Sequence, residues 1–208
     1  MSADYTELPP DLPVPEDDGA ADHLVGMELP TTPLPSTHGG TIDLASIAGS
    51  DAVAISPTTR EKRRQLVVYV YPRTGTPGQQ APAGWDDIPG ARGCTPQSCA
   101  YRDALAEFEA LGATVVGINA QTPDEQREFA EREHIPFPLL SDADLLLRDA
   151  LRLPTFEVEG MTLYKRLTLV AEDELIVKTF YPVFPPDRNA TEVVAWLRGR
   201  RADMSSMH

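Results

Sequence analysis

The chain has 208 residues, 41% of them hydrophobic, and a net charge of −14. That is enough for one sizeable domain with extensions, while no apolar run approaches the ~18 residues of a membrane-spanning helix. Ten acidic residues lie in residues 1–59 and the first Lys or Arg is Arg60, so the remainder carries only −4 and offers no basic face for nucleic acid.

Residues 1–26 are rich in Pro, Asp, Glu and Ala and have little to bury, which predicts a disordered, acidic tail. The start lacks a basic stretch followed by an apolar one, so no secretory signal is expected and the working compartment reads as the reducing cytoplasm. Residues 27–59 alternate short apolar stretches with turn signals, and Ser36-Thr37-His38-Gly39-Gly40 marks a hairpin turn before Thr41-Ile42. Residues 66–71 are a continuous apolar run, the pattern of a buried central strand. A long Gly/Pro-rich connection follows. Thr95 as N-cap and Pro96 at the first helical position predict a helix on which Tyr101, Ala104, Leu105, Phe108 and Leu111 repeat and which Gly112 closes. Residues 114–119 read as a second buried strand, and Thr122 with Glu125 form a capping box opening a second helix. A short helix is expected within 142–151, adjacent strands at 165–170 and 175–184, and a last helix capped by Asn189 and Glu192. The order is that of an α/β sheet with helices on both faces.

Cys94 and Cys99 are the only cysteines. Cys94 falls just before the expected helix start, where unpaired N–H groups and the macrodipole favour a thiolate, the reactive form. Residues five apart on a regular helix have Cα atoms roughly 8.6 Å apart, whereas a disulfide needs less than about 7 Å. The two sulfurs therefore join only if the first turn unwinds, which suits a bond that forms and breaks. Zinc is a weak competitor, because two further ligands are needed and His23, His38, His134 and His208 form no paired pattern. The Cys-x-x-Cys spacing of dithiol oxidoreductases is absent.

Several segments carry a resemblance: Tyr71-Pro72, Thr76-Pro77-Gly78, Cys94-Thr95 with Cys99, Arg102-Asp103, residues 136–142, and Arg166-Leu167-Thr168. They resemble the peroxiredoxins, most closely the bacterioferritin-comigratory-protein or peroxiredoxin Q branch. The resemblance covers roughly residues 27–198. It implies a thioredoxin-like α/β fold, a central mixed sheet flanked by helices, over residues 27–200, with residues 201–208 as a flexible tail. It implies a thiol-dependent peroxidase for hydrogen peroxide and organic hydroperoxides that uses no metal, haem or flavin cofactor. Cys94 would be the peroxidatic and Cys99 the resolving cysteine. Arg166 would favour the thiolate and bind peroxide oxygen, Thr76 would hydrogen-bond both, and Pro72 would shield them. Thioredoxin or glutaredoxin would be the reductant, and the protein a monomer or homodimer.

Read without the resemblance, Arg166 is a strand-end charge and Thr76 a turn residue. A protein-disulfide reductase on the same fold and a non-catalytic redox sensor are the rival functions. One departure stands out. In the family Thr-Pro-Gly runs directly into the Cys; here residues 79–93 intervene. Either this insertion bulges out and Thr76 keeps the threonine's place, or Ala91 takes that place. The insertion is either a tolerated surface loop or a functional lid.

Overall fold

The computed structural model describes residues 8–49 and 65–206. Its centre is a five-stranded mixed sheet. Strands β3 (Gln65–Val70), β4 (Ala113–Asn119), β5 (Leu139–Ser141), β8 (Leu167–Glu172) and β9 (Leu175–Phe180) run in the order β5-β4-β3-β8-β9. β3 pairs parallel with β4 and antiparallel with β8, so Val68 lies between Val116 and Leu169.

The apolar run of β3 is buried on both faces because alternate side chains feed two separate cores. Leu66, Val68 and Val70 join Leu44, Ile118, Leu147 and Leu169 on one side, where α1 (Leu44–Gly49) and α5 (Leu146–Leu151) pack. Val67, Tyr69 and Tyr71 join Tyr101, Phe108, Phe129 and Val193 on the other. That second layer is built by α2 (Cys94–Asp103), α3 (Leu105–Leu111), α4 (Pro123–Arg132) and α6 (Asn189–Ser206). Two small antiparallel hairpins complete the chain: β1 (Leu34–Pro35) with β2 (Thr41–Ile42), and β6 (Thr155–Val158) with β7 (Met161–Tyr164). The Thr122–Glu125 capping box opens α4 as expected.

Several expectations are corrected. The helix begins two residues earlier than expected, because Gly93 takes φ +100 and its carbonyl accepts from the Gln97 N–H; Gly93, not Thr95, is the N-cap and Cys94, not Pro96, is the first helical residue. A Cβ at Gly93 would lie 2.4 Å from Pro186 and 2.7 Å from Leu8, so the turn depends on glycine. The expected single helix is two, divided at Ala104, where no Gly or Pro signals a break. β9 stops at Phe180, since Pro182 and Pro185 have no N–H to continue the ladder. Asn189 opens α6, but its side-chain oxygen is turned inward onto Gln97, Tyr101 and Thr168.

The acidic segment is not loose where it is described. Ala21 and Leu24 are buried. Gly26 N–H bonds the Ile176 carbonyl and Leu29 N–H bonds that of Glu174, so the extension covers the outer edge of β9. Asp18 accepts from Lys165 and from the Tyr181 hydroxyl. At the other end α6 remains helical through Ser206, where a flexible tail was expected from residue 201. Residues 1–7, 50–64 and 207–208, which include parts of both termini and of the 27–59 stretch, lie outside the described residues.

Candidate active site

Cys94 sits at the start of α2, 4% exposed and at the floor of a cavity of about 120 Å³. β8 is preceded by Arg166, which the antiparallel pairing with β3 carries back to the same end of the sheet. Its Nη2 donates to Cys94 Sγ at 3.1 Å. The guanidinium is 2% exposed, and each of its three nitrogens donates inside the protein. Nη2 also meets the carbonyls of Ala91 and Arg92 at 3.1 Å, Nε that of Gly90 at 3.3 Å, and Nη1 the Gln97 Oε1 at 2.5 Å. Cys94 Sγ in turn faces the Ala91 carbonyl at 3.6 Å.

Gln97 is the residue that sequence reasoning missed. Because arginine only donates, Gln97 must turn its oxygen to Arg166, and its amide then donates to Asn189 Oδ1 at 3.0 Å. Asn189 Oδ1 also receives the hydroxyls of Tyr101 and Thr168, both at 2.7 Å. A buried polar chain thus runs from the thiol through Arg166 and Gln97 to the first residue of α6. The available signal was positional: Gln97 lies three residues after Cys94, on the same face of α2.

Beneath α2 the rings of Tyr71, Tyr69 and Tyr101 stack, with centroids 5.3 and 4.4 Å apart, and Tyr69 donates to Ser98 Oγ at 3.2 Å. Burial pushes all three phenols far up, so they stay neutral and act as packing.

Cys99 lies in a different setting. It is half-buried on the same helix, 3.8 Å from a Glu133 carboxylate oxygen. Burial pushes its thiol above the ordinary value, and Glu133 adds to the effect against the opposing pull of Arg102. Both thiols are free with α2 intact. The arrangement offers one sulfur held by a cation and one kept as a thiol.

Pro72 is buried directly after β3. Thr76 lines the same cavity as Cys94, while the Ala91 carbonyl touches both the sulfur and Arg166. The fold therefore brings both candidate segments to the site. The polar contacts made to the sulfur among the described residues are those of Arg166 and the Ala91 carbonyl; the Thr76 hydroxyl makes none.

Residues 79–93 are anchored to the fold although Gln79, Gln80, Ala83, Gly84, Asp86, Asp87 and Pro89 are exposed. A single helical turn at Trp85–Asp87 buries Trp85 against Phe156, Val158 and Leu163 of the β6–β7 hairpin. That hairpin was not anticipated. Its signal was the Glu159-Gly160 pair, both at positive φ, between alternating apolar residues.

Sheet order, helix placement and a buried thiol beside an arginine define a thioredoxin-like thiol protein. The Redoxin family model matches residues 24–194. A chloroplastic peroxiredoxin Q of Populus jackii is 33% identical over 66% of this chain and 57% of its own length, so the chain spans little more than half of that relative. The chloroplastic peroxiredoxin Q of japonica rice is 32% identical over 79% of this chain and 74% of its own. The crystal structure of peroxidoxin BcpB from Mycobacterium tuberculosis superposes with a TM-score of 0.63 at 25% identity, covering 84% of this chain and 96% of that one. The chain belongs to the Redoxin family, in its peroxiredoxin Q and bacterioferritin-comigratory-protein branch.

Proposed function

We propose that the chain is a thiol-dependent peroxidase for hydrogen peroxide and small organic hydroperoxides. The observation that carries this reading is the 3.1 Å contact from Arg166 Nη2 to Cys94 Sγ at the floor of a small cavity. A guanidinium so placed favours the thiolate and can hold a peroxide oxygen beside it. The Cys94 thiolate attacks the near oxygen of the hydroperoxide: an S–O bond forms, the O–O bond breaks, and the leaving alkoxide or hydroxide takes up a proton. Cys94 becomes a sulfenic acid. Once the first turn of α2 opens, Cys99 attacks the sulfenic sulfur, the S–S bond forms and water leaves. Thiol–disulfide exchange with a dithiol protein, thioredoxin or glutaredoxin, then restores both thiols. Thr76 and Pro72 belong to the proposal as cavity wall and shield. So does a cytoplasmic setting, which rests on the thiol chemistry alone.

Depth favours peroxide over a protein disulfide as oxidant, because Cys94 is only 4% exposed. Mass spectrometry after one equivalent of peroxide, without reductant, tests the assignment. The wild type should lose two hydrogens as an internal disulfide. Cys99→Ser should gain one oxygen at Cys94, and Cys94→Ser should gain none, since a Ser hydroxyl is no comparable nucleophile at neutral pH. Oxidation of Cys94→Ser with sparing of Cys99→Ser would reverse the roles. Fast reduction of protein disulfides with negligible peroxide consumption would favour the reductase instead.

A further inference from the structure

The insertion at 79–93 is fastened at two points to the β6–β7 hairpin, and the cavity above Cys94 lies between them. The Ala83 N–H donates to Glu159 Oε1 at 3.0 Å. Trp85, 5% exposed, packs on Phe156 with ring centroids 6.2 Å apart and closes a small core with Val158 and Leu163. On the hairpin side, Arg73 Nη1 meets Met161 Sδ at 3.2 Å. The space that insertion and hairpin border, open to solvent on one side, is about 120 Å³.

That volume limits what reaches the sulfur. An apolar cavity of about 150 Å³ takes one benzene ring, and a water molecule occupies about 30 Å³ of liquid. Hydrogen peroxide therefore fits with room to spare, a small branched alkyl hydroperoxide fills the space, and an aryl or long-chain substituent exceeds it and must stay partly at the open mouth. The wall chemistry acts in the same direction. The insertion presents Gln79 and Gln80 beside Ala81, Pro82 and Trp85, the hairpin presents Glu159 beside Met161, and the β3 loop presents Arg73, so polar groups stand on every side of the opening. An apolar substituent among these groups gains little from leaving water and strips hydration from polar atoms.

We infer that residues 79–93, latched to the β6–β7 hairpin through Trp85 and Glu159, are a size filter that selects hydrogen peroxide and the smallest hydroperoxides over bulky apolar ones. The inference rests on the peroxidase reading and adds the substrate class to it. Trp85 and Glu159 act as specificity determinants by holding the wall in place, without touching the reacting oxygen.

The test compares kcat/KM for hydrogen peroxide, tert-butyl hydroperoxide and cumene hydroperoxide with one reductant at fixed pH. Wild type should turn over cumene hydroperoxide at least tenfold less efficiently than hydrogen peroxide, with the tert-butyl compound between. Trp85→Ala, which removes the packed side of the latch, should raise the cumene-to-hydrogen-peroxide ratio at least fivefold. Glu159→Ala removes only the polar latch at a surface turn and should move the ratio the same way, so the test stands if Trp85→Ala does not fold. A wild-type cumene efficiency within tenfold of that for hydrogen peroxide overturns the filter, as does an unchanged ratio in the variants. Absence of turnover with all three hydroperoxides overturns the peroxidase reading and the filter together, whereas hydrogen peroxide turnover without discrimination overturns the filter alone.

Discussion

Arg166 is the residue on which most depends. It spends its donors on three carbonyls, Gln97 and the Cys94 sulfur, and a lysine with one compact head cannot reproduce that spread. Charge-assisted hydrogen bonds of this kind contribute about 1.5–3 kcal/mol each. Arg166→Lys should therefore lower kcat/KM for hydrogen peroxide by about 10- to 100-fold, measured by coupled reductant consumption. Wild-type rates in the lysine variant would remove Arg166 from the chemistry. The two cysteines and Arg166 were visible in the sequence because their identity carries the resemblance. The Ala91 carbonyl was not, since a backbone acceptor leaves no trace in residue type. Gln97 and Asn189 were equally hidden: the first carried no signal of its own, the second read as a cap, and only the fold brings them together across 92 residues.

At the level of elements, the proposed Cys94–Cys99 disulfide requires α2 to open. With both cysteines on one intact helix and five residues apart, they cannot bond until the turn unwinds. Peroxide oxidation should therefore raise amide exchange over residues 94–99 while β3 and β4 stay protected, as read by mass spectrometry. An unchanged exchange pattern in the disulfide form would contradict this. Cys99 adds a pH dependence. In the folded helix burial holds its thiol above the ordinary thiol value. As the pH rises toward that value the unwound form sheds the proton first, so the intact helix loses stability relative to the opened one. The step from Cys94 sulfenic acid to disulfide should accelerate as the pH rises past about 8.5, in quenched-flow measurements. A rate that falls over that rise would exclude opening as the controlling event. The helix itself was legible from Pro96 and the apolar repeat. Its first residue was not, because Gly93 enters through a left-handed turn that no N-cap preference describes.

Among the described residues two main cores share one sheet, beside the small one under Trp85, and the pattern of the two was legible in the apolar runs of β3 and β4. The extension was misread because composition alone cannot show that Ala21 and Leu24 fill the first core. The second core is closed by α6, which one ion pair ties to β8. Arg200 meets both oxygens of Glu172, at 2.8 and 3.1 Å, and that carboxylate side chain is 2% exposed. Arg200→Ala leaves a buried carboxylate without this partner and should cost on the order of 2 kcal/mol, seen as a lower urea midpoint with an unchanged m-value. A midpoint equal to wild type would show that the pair is dispensable. The latch has a last consequence, an optical one. Of the two tryptophans, Trp196 lies on α6 against Phe180 and Arg200, far along the chain from the cysteines. Trp85 sits in the segment that runs straight into Cys94. In a Trp196→Phe background all indole emission comes from Trp85, and opening of α2 should move that ring from a dry contact into water. The intrinsic fluorescence of the protein should then shift to longer wavelength on each oxidation and return on each reduction, so the catalytic cycle can be followed without an added dye.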